Sequence, residues 1–226
     1  MRHQGMILGP EGKKMSKSKG NVINPDAVVA EYGADTLRMY EMFMGPIEAD
    51  KPWDTSAVVG IYRFIQRVYR LTHAAYHHQD QASLSNDQDK LYSKTDPELE
   101  QKLHQTLKKV SHDIPKLKFN TAIAAMMEFV NAWSEQWQQV EEQQGEKQQA
   151  KQERAEDKAE DKAENKIDSG SVLSESDLIK FLKILAPFAP FVTEELYQEL
   201  KNESIHQSDW PEWNEALAQE ELVSLP

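Results

Sequence analysis

The sequence predicts a mainly α-helical chain, in which a short strand-and-loop segment leads into an α-helical bundle. Three observations carry that prediction. Apolar residues recur three and four apart along most of the chain, the period of one helix face. Helix start signals precede those stretches, at Asn24-Pro25, Thr95-Asp96-Pro97 and Asn120. Strand-like runs are few and lie near the start.

Gly5-Met6-Ile7-Leu8 is a short apolar run closed by Gly9-Pro10, and it reads as a strand. Gly12 to Gly20 is a lysine-rich loop, and Val22-Ile23 reads as a second strand. Asn24 caps a short helix from Pro25 to Tyr32, because proline lacks the N–H that a first helical position would leave unpaired. Gly33 stops it in the left-handed conformation. A second helix starts near Asp35, carries Leu37, Tyr40 and Met44 on one face, and ends at Gly45-Pro46. After a loop from Ile47 to Asp54, a long helix runs from about Thr55 to Tyr76, with Val58, Ile61, Tyr62, Ile65, Val68 and Tyr69 at helical spacing.

The polar stretch from His77 to Lys94 reads as a loop. The next helix begins near Pro97, capped by Thr95 or Asp96, with Glu98 placed to complete a capping box from Thr95. Its seam is Leu99, Leu103, Leu107 and Val110. Asn120 is expected to cap a helix carrying Ile123, Met126, Met127, Val130, Trp133 and Trp137. Residues 141–168 hold almost no apolar side chains and nearly repeat AEDK, AEDK, AENK; they fit a solvated helix or a linker inserted in a surface connection. Leu178, Phe181, Leu182 and Leu185 form another apolar face, broken by Pro187 and Pro190, and Thr193 is placed to cap a final helix. The count is about five bundle helices.

Composition narrows the function classes. No apolar run approaches the roughly 18 residues of a membrane span, and the N-terminus lacks a secretory pattern. With no cysteine, disulfides and cysteine zinc sites are excluded within these residues, which fits a reducing, cytoplasmic setting. The net charge is -12, from 26 basic and 38 acidic residues, which taken alone argues against nucleic acid. The charge is uneven, however. Lys13, Lys14, Lys17 and Lys19 cluster near the start, while much of the acid lies in 141–168 and after Glu194.

The sharpest feature is Lys13-Lys14-Met15-Ser16-Lys17-Ser18-Lys19-Gly20-Asn21. Ammonium groups, two hydroxyls and backbone N–H groups on one loop suit a triphosphate, because phosphoryl and adenylyl transfer depend on positioning and on stabilising charge at phosphate oxygens. A solvated basic loop or a nonspecific RNA patch has a similar composition. The intact KMSKS run, followed by Gly-Asn and the Asn24-Pro25 cap, resembles the second signature motif of class I aminoacyl-tRNA synthetases. Tyr32-Gly33-Ala34-Asp35 with Leu37-Arg38 is shared by the leucyl, valyl, isoleucyl and methionyl members. Met42-Phe43-Met44-Gly45-Pro46, Asp50-Lys51-Pro52-Trp53, Gly60 to Phe64, and Phe119 to Met127 are similar to the bacterial leucyl family. Leu185-Ala186-Pro187-Phe188-Ala189-Pro190 with Glu194-Glu195-Leu196 resembles the class I anticodon-binding domain. Phe191, where relatives often carry histidine, and the long insert depart from the pattern.

The resemblance implies the end of a class I catalytic domain over residues 1–50 and a helical anticodon-binding-type, tRNA-binding domain over 51–226, interrupted at about 141–168. It implies a leucine–tRNA ligase that uses ATP with magnesium held through the phosphates, and partners tRNA(Leu), ATP, leucine and the N-terminal part of the synthetase in cis or in trans. No metal is expected to be held by protein side chains of this chain. Lys17, then Lys14, would stabilise phosphate; Met15, Ser16 and Ser18 would complete the ATP contacts. Arg63, Arg67 and Arg70 fit tRNA phosphates and surface carboxylate pairs equally. Trp53, Trp133 and Trp137 are candidates to stack on bases, although the spacing of the last two suits a core. Asp35 and Arg38 are expected as a cap and a pair. None of the seven histidines begins the first class I signature, HxGH, so the chain is expected not to aminoacylate alone. Such a chain would be an interrupted gene product or one piece of a split enzyme. A non-catalytic tRNA-binding module, a purely structural helical protein, and a valyl or isoleucyl enzyme are the competing readings.

Overall fold

The structure, a computed structural model, describes residues 3–82, 95–155 and 172–219, and side chains within these except at 76–82 and 143–155. Among the described residues there are two short strands and seven α-helices. Strand β1 (Ile7–Leu8) pairs in parallel with β2 (Lys51–Pro52), Ile7 opposite Lys51 and Leu8 opposite Pro52. Proline has no N–H, so the ladder is carried by Lys51 N–H donating to Met6 O at 3.0 Å and Trp53 N–H to Leu8 O at 2.9 Å. Val22-Ile23, read as a second strand, is not one. The partner comes from the segment read as a loop, because pairing follows the three-dimensional path of the chain.

Between the strands lie the lysine loop and helices α1 (Pro25–Tyr32) and α2 (Ala34–Phe43). Asn24 Oδ1 caps α1, accepting from Asp26 N–H at 3.1 Å. Gly33 has positive φ as expected, but at φ 88° and ψ 157° it is not left-handed helical. That extended backbone, which side chains other than glycine's disfavour, lets α2 begin at the next residue.

Helix α3 (Thr55–Ala82) continues through His77 to Ala82, which read as loop. The rest of that loop, 83–94, lies outside the described residues. Val58, Ile61, Phe64, Ile65, Val68 and Leu71 are buried and form its core face. Helix α4 (Pro97–Asp113) is capped by Asp96, whose Oδ1 accepts from Glu98 N–H at 2.9 Å and Leu99 N–H at 3.3 Å. Thr95 is not the cap, because its hydroxyl is committed to Ser174 and Asp177 across the fold. Helix α5 (Phe119–Ala155) starts one residue before Asn120, which is therefore inside the first turn rather than the cap. It extends helically through 141–155 of the expected insert; 156–168 lie outside the described residues.

Ser174 caps α6 (Glu175–Leu185), and α7 (Pro190–Lys201) starts at Pro190. Thr193 is thus inside α7, with its hydroxyl turned back to Ala189 O at 2.8 Å. The α4–α5 pair forms the largest helix interface, with α2 against α5, α6 against α4, and α3 and α7 alongside. Phe129, Trp133 and Phe181 fill its centre, with the Phe129 and Phe181 rings 4.9 Å apart. After α7 the chain turns at Ile205–Gln207 and returns over α4. There Asn214 N–H donates to His104 Nδ1 at 3.0 Å and Trp210 Nε1–H to Ser111 Oγ at 2.8 Å.

Candidate functional site

The lysine loop is organised by Asn21. Its Oδ1 accepts from Ser16 N–H at 2.9 Å, while its Nδ2 donates to Glu11 and, at 3.4 Å, to Lys14 O. One side chain thereby ties together three points of a loop that has little core beneath it. Gly9 N–H donates to Lys13 O at 2.8 Å, and the Ser16 and Ser18 hydroxyls meet at 2.9 Å. Lys17–Lys19 form one 3-10 turn, closed by Gly20 at φ 66°, the left-handed region that glycine enters without penalty.

Met15 packs against the core, whereas Lys13, Lys14, Lys17, Ser18 and Lys19 are exposed. Glu11 is the loop's carboxylate. Its hydrogen bond from Asn21, its own backbone, and the charges of Lys13 and Lys19 hold its pKa below the ordinary glutamate value. It therefore stays ionised against Lys13 and Lys19. Lys14 and Lys17 have no ion-pair partner among the described residues. Lys13 and Lys19 likewise form no ion pair among the described residues, so all four ammonium groups of the loop face solvent.

The arginine stripe is less uniform. Arg63 and Arg70 are exposed on α3, but Arg67 is half-buried and donates Nη1–H to Asn131 Oδ1 at 2.5 Å on α5. Arg67 therefore braces two helices, and the stripe and the lysine loop lie on separate elements. Trp133 is wholly buried, and Trp53 is buried with its ring edge-on to Tyr40 at 4.8 Å. Trp137 packs half-buried against the core.

Sequence reasoning missed how the loop-bearing segment is held on the bundle. Asp35, at the start of α2, accepts from Val192 N–H at 2.8 Å and Phe191 N–H at 3.3 Å, capping α7 from across the fold. Arg38 donates Nη2–H to Pro187 O at 3.0 Å and Nε–H at 3.3 Å. Asp35 thus caps a helix about 150 positions away rather than its own, and Arg38 meets a backbone carbonyl rather than a carboxylate; no local signal encodes either partner. Burial pushes the Asp35 carboxyl up, more than the two N–H bonds and Arg38 pull it down. Its ionisation accordingly opposes folding: the stability it contributes is complete below its unfolded pKa and is lost as pH rises through the raised folded value. Asp35→Ala is expected to speed amide hydrogen exchange at Phe191 and Val192 about tenfold, equivalent to a net ~1 kcal/mol per bond. Unchanged exchange at both amides would remove the bracing role.

Comparison with known proteins fits this geometry. Residues 96–225 match the family described as the anticodon-binding domain of tRNA ligase. Residues 1–54 match tRNA synthetases class I (I, L, M and V). Among solved structures, the chain is similar to LeuRS, the agnB2 protein of Agrobacterium radiobacter K84, in its ternary complex with tRNA and LeuAMS. The identity is 31% and the TM-score 0.69, over 96% of this chain and 24% of that one. The chain thus spans about a quarter of the length of that enzyme. No helix among the described residues is long and apolar enough to cross a membrane. Matched over more than half its length by the one family model and at its KMSKS end by the other, this chain belongs to the class I tRNA synthetases that carry a helical anticodon-binding domain.

Proposed function

We propose that the chain is the part of a leucine–tRNA ligase that stabilises ATP phosphates and docks tRNA(Leu). The observation that carries this reading is the exposure of Lys14 and Lys17 without carboxylate partners, on a loop whose backbone is fixed by Asn21. In the first step leucine's carboxylate attacks the α-phosphorus of ATP, forming leucyl-adenylate and releasing pyrophosphate. Lys17, with Lys14, meets the negative charge that moves onto the departing phosphates. Because both groups end mobile side chains, their contact can strengthen in the transition state, where binding energy raises the rate. The Met15 and Ser16 backbone groups, with Ser18, complete the nucleotide contacts. In the second step the 2′-hydroxyl of the tRNA terminal ribose attacks the adenylate carbonyl and AMP leaves.

The donors present fit phosphate oxygens better than they fit a metal ion. Glu11, the loop's carboxylate, is already engaged by Asn21. Magnesium would therefore be held by the triphosphate and water, supplying charge neutralisation there. Leucine as the amino acid is supported by the Met42-Phe43-Met44-Gly45-Pro46 segment and by 31% identity to a leucyl enzyme. HxGH does not occur in these 226 residues, so the proposed activity includes the N-terminal part of a synthetase, in cis or in trans, in the cytoplasm.

The test is leucine-dependent ATP–pyrophosphate exchange by this chain together with the polypeptide carrying HxGH. Lys17→Ala is expected to slow exchange roughly a hundredfold or more, the cost of one positioned charge-stabilising donor, with the melting temperature unchanged because the side chain is exposed. Exchange at the wild-type rate would refute the assignment of Lys17. Exchange driven by valine or isoleucine in place of leucine would move the specificity.

A further inference from the structure

A cavity of about 360 Å³ opens where α2, α6, the Pro187 corner and the returning tail meet. Its walls place three basic side chains, Arg38, Lys183 and His206, around the indole of Trp210. Among the described residues Asp209 is the carboxylate of the lining, with Glu194 behind His206 and Asp35 behind Arg38. In a chain of net charge -12 this is a place where two permanent cations come together.

The groups differ in how far they are engaged, and Arg38 also faces the buried Asp35 carboxyl. Lys183 has no ion-pair partner among the described residues. Arg38 uses Nε and Nη2 on Pro187 O, which fixes the guanidinium and leaves Nη1 free to donate. His206 is exposed and, when protonated, is ion-paired with Glu194 at 3.8 Å, so it offers a donor without a net positive charge. Trp210 is 42% exposed, unlike the buried Trp53 and Trp133, yet its N–H is anchored on Ser111 at 2.8 Å. An indole held at its edge and open to solvent is a preformed stacking surface.

We propose that this corner is an RNA contact: Arg38 and Lys183, with His206 as a third donor, hold a backbone phosphate while Trp210 stacks on a neighbouring unpaired base. Cations beside an accessible aromatic ring are the combination that binds single-stranded or looped RNA. An acidic protein segment would use the cations but leave the anchored ring without a planar partner. The assignment rests on the tRNA-docking reading above and adds where the tRNA touches.

The experiment is fluorescence anisotropy of an end-labelled tRNA(Leu) transcript titrated with the 226-residue chain at several salt concentrations. Melting curves accompany each variant. Lys183→Glu is expected to weaken binding at least tenfold and to lower the log–log salt slope by about one. Lys183→Arg should retain binding. Trp210→Leu should weaken it at least fivefold, the lower end of about 1–3 kcal/mol for one stacked base, and Trp210→Phe should keep most of it. Wild-type binding with Lys183→Glu unaffected would overturn this site and leave tRNA docking standing, even if Trp210→Leu binds poorly because it melts early. No tRNA binding by the wild-type chain would overturn both. Binding of polyglutamate in competition with tRNA, equally reduced by Lys183→Glu and insensitive to Trp210→Leu, would make the corner a general anion surface and also overturn the proposal.

Discussion

Replacing Trp133 by alanine is expected to remove about 3–5 kcal/mol of stability, the range for deleting a buried tryptophan side chain. Trp133 is fully buried on α5, with its ring 6.3 Å from Phe129 and 6.4 Å from Phe181 on α6. The substitution leaves a void where two helices meet, and helices of this length cannot collapse to fill it without moving many other contacts. The measurement is urea unfolding followed by circular dichroism: the midpoint should fall with an unchanged slope. A loss below about 1 kcal/mol would mean that α5 does not pack as described. Trp133→Phe should cost less. The indole N–H is buried without a partner among the described residues, so phenylalanine also removes an unpaired donor.

Asp177→Ala is expected to cost about 3–4 kcal/mol, since hydrogen bonds to a charged group contribute roughly 1.5–3 kcal/mol each and are not fully additive. The carboxylate is buried at the start of α6 and accepts from Thr95 Oγ1, from Ser174 Oγ at 3.0 Å and from Lys180 Nζ at 2.8 Å. This knot joins the chain leaving 83–94 to the chain leaving 156–171, so both long connections are fastened at one place. Burial alone would push the carboxyl up, but the hydrogen bonds from Lys180, Thr95 and Ser174, together with the Lys180 charge, outweigh it and hold the pKa below the ordinary aspartate value. The stability it adds is therefore present above its unfolded pKa of about 4 and is lost as pH falls through the lower folded value. Wild type and Asp177→Ala should converge in stability on acidification. A difference that stays constant from neutral pH to about pH 2 would show that the alanine substitution acts through packing rather than charge.

Much of the fold is legible along the chain because it is encoded locally. The apolar period, Asn24-Pro25 and Asp96-Pro97 specify α1 and the starts of α3 and α4 nearly to the residue, since a cap or a proline acts within one turn of itself. KMSKS with Gly20-Asn21 marks the lysine loop for the same reason: the motif is carried by neighbouring residues. The failures share the opposite cause. Thr95, Asn120 and Thr193 all have the chemistry of caps, but Thr95 is drawn to Asp177, and α5 and α7 start before the other two.

By itself, then, the sequence determined the helical class, the lysine loop and the synthetase family, because periodicity and contiguous motifs survive in one dimension. Only the tertiary structure decided that β1 pairs with Lys51–Pro52, that Asp35 caps a helix some 156 residues away, and that Arg38, Lys183 and His206 gather around Trp210. Those are contacts between groups far apart in the chain. Their partners are chosen by how the helices pack, and no residue's own neighbourhood records the choice.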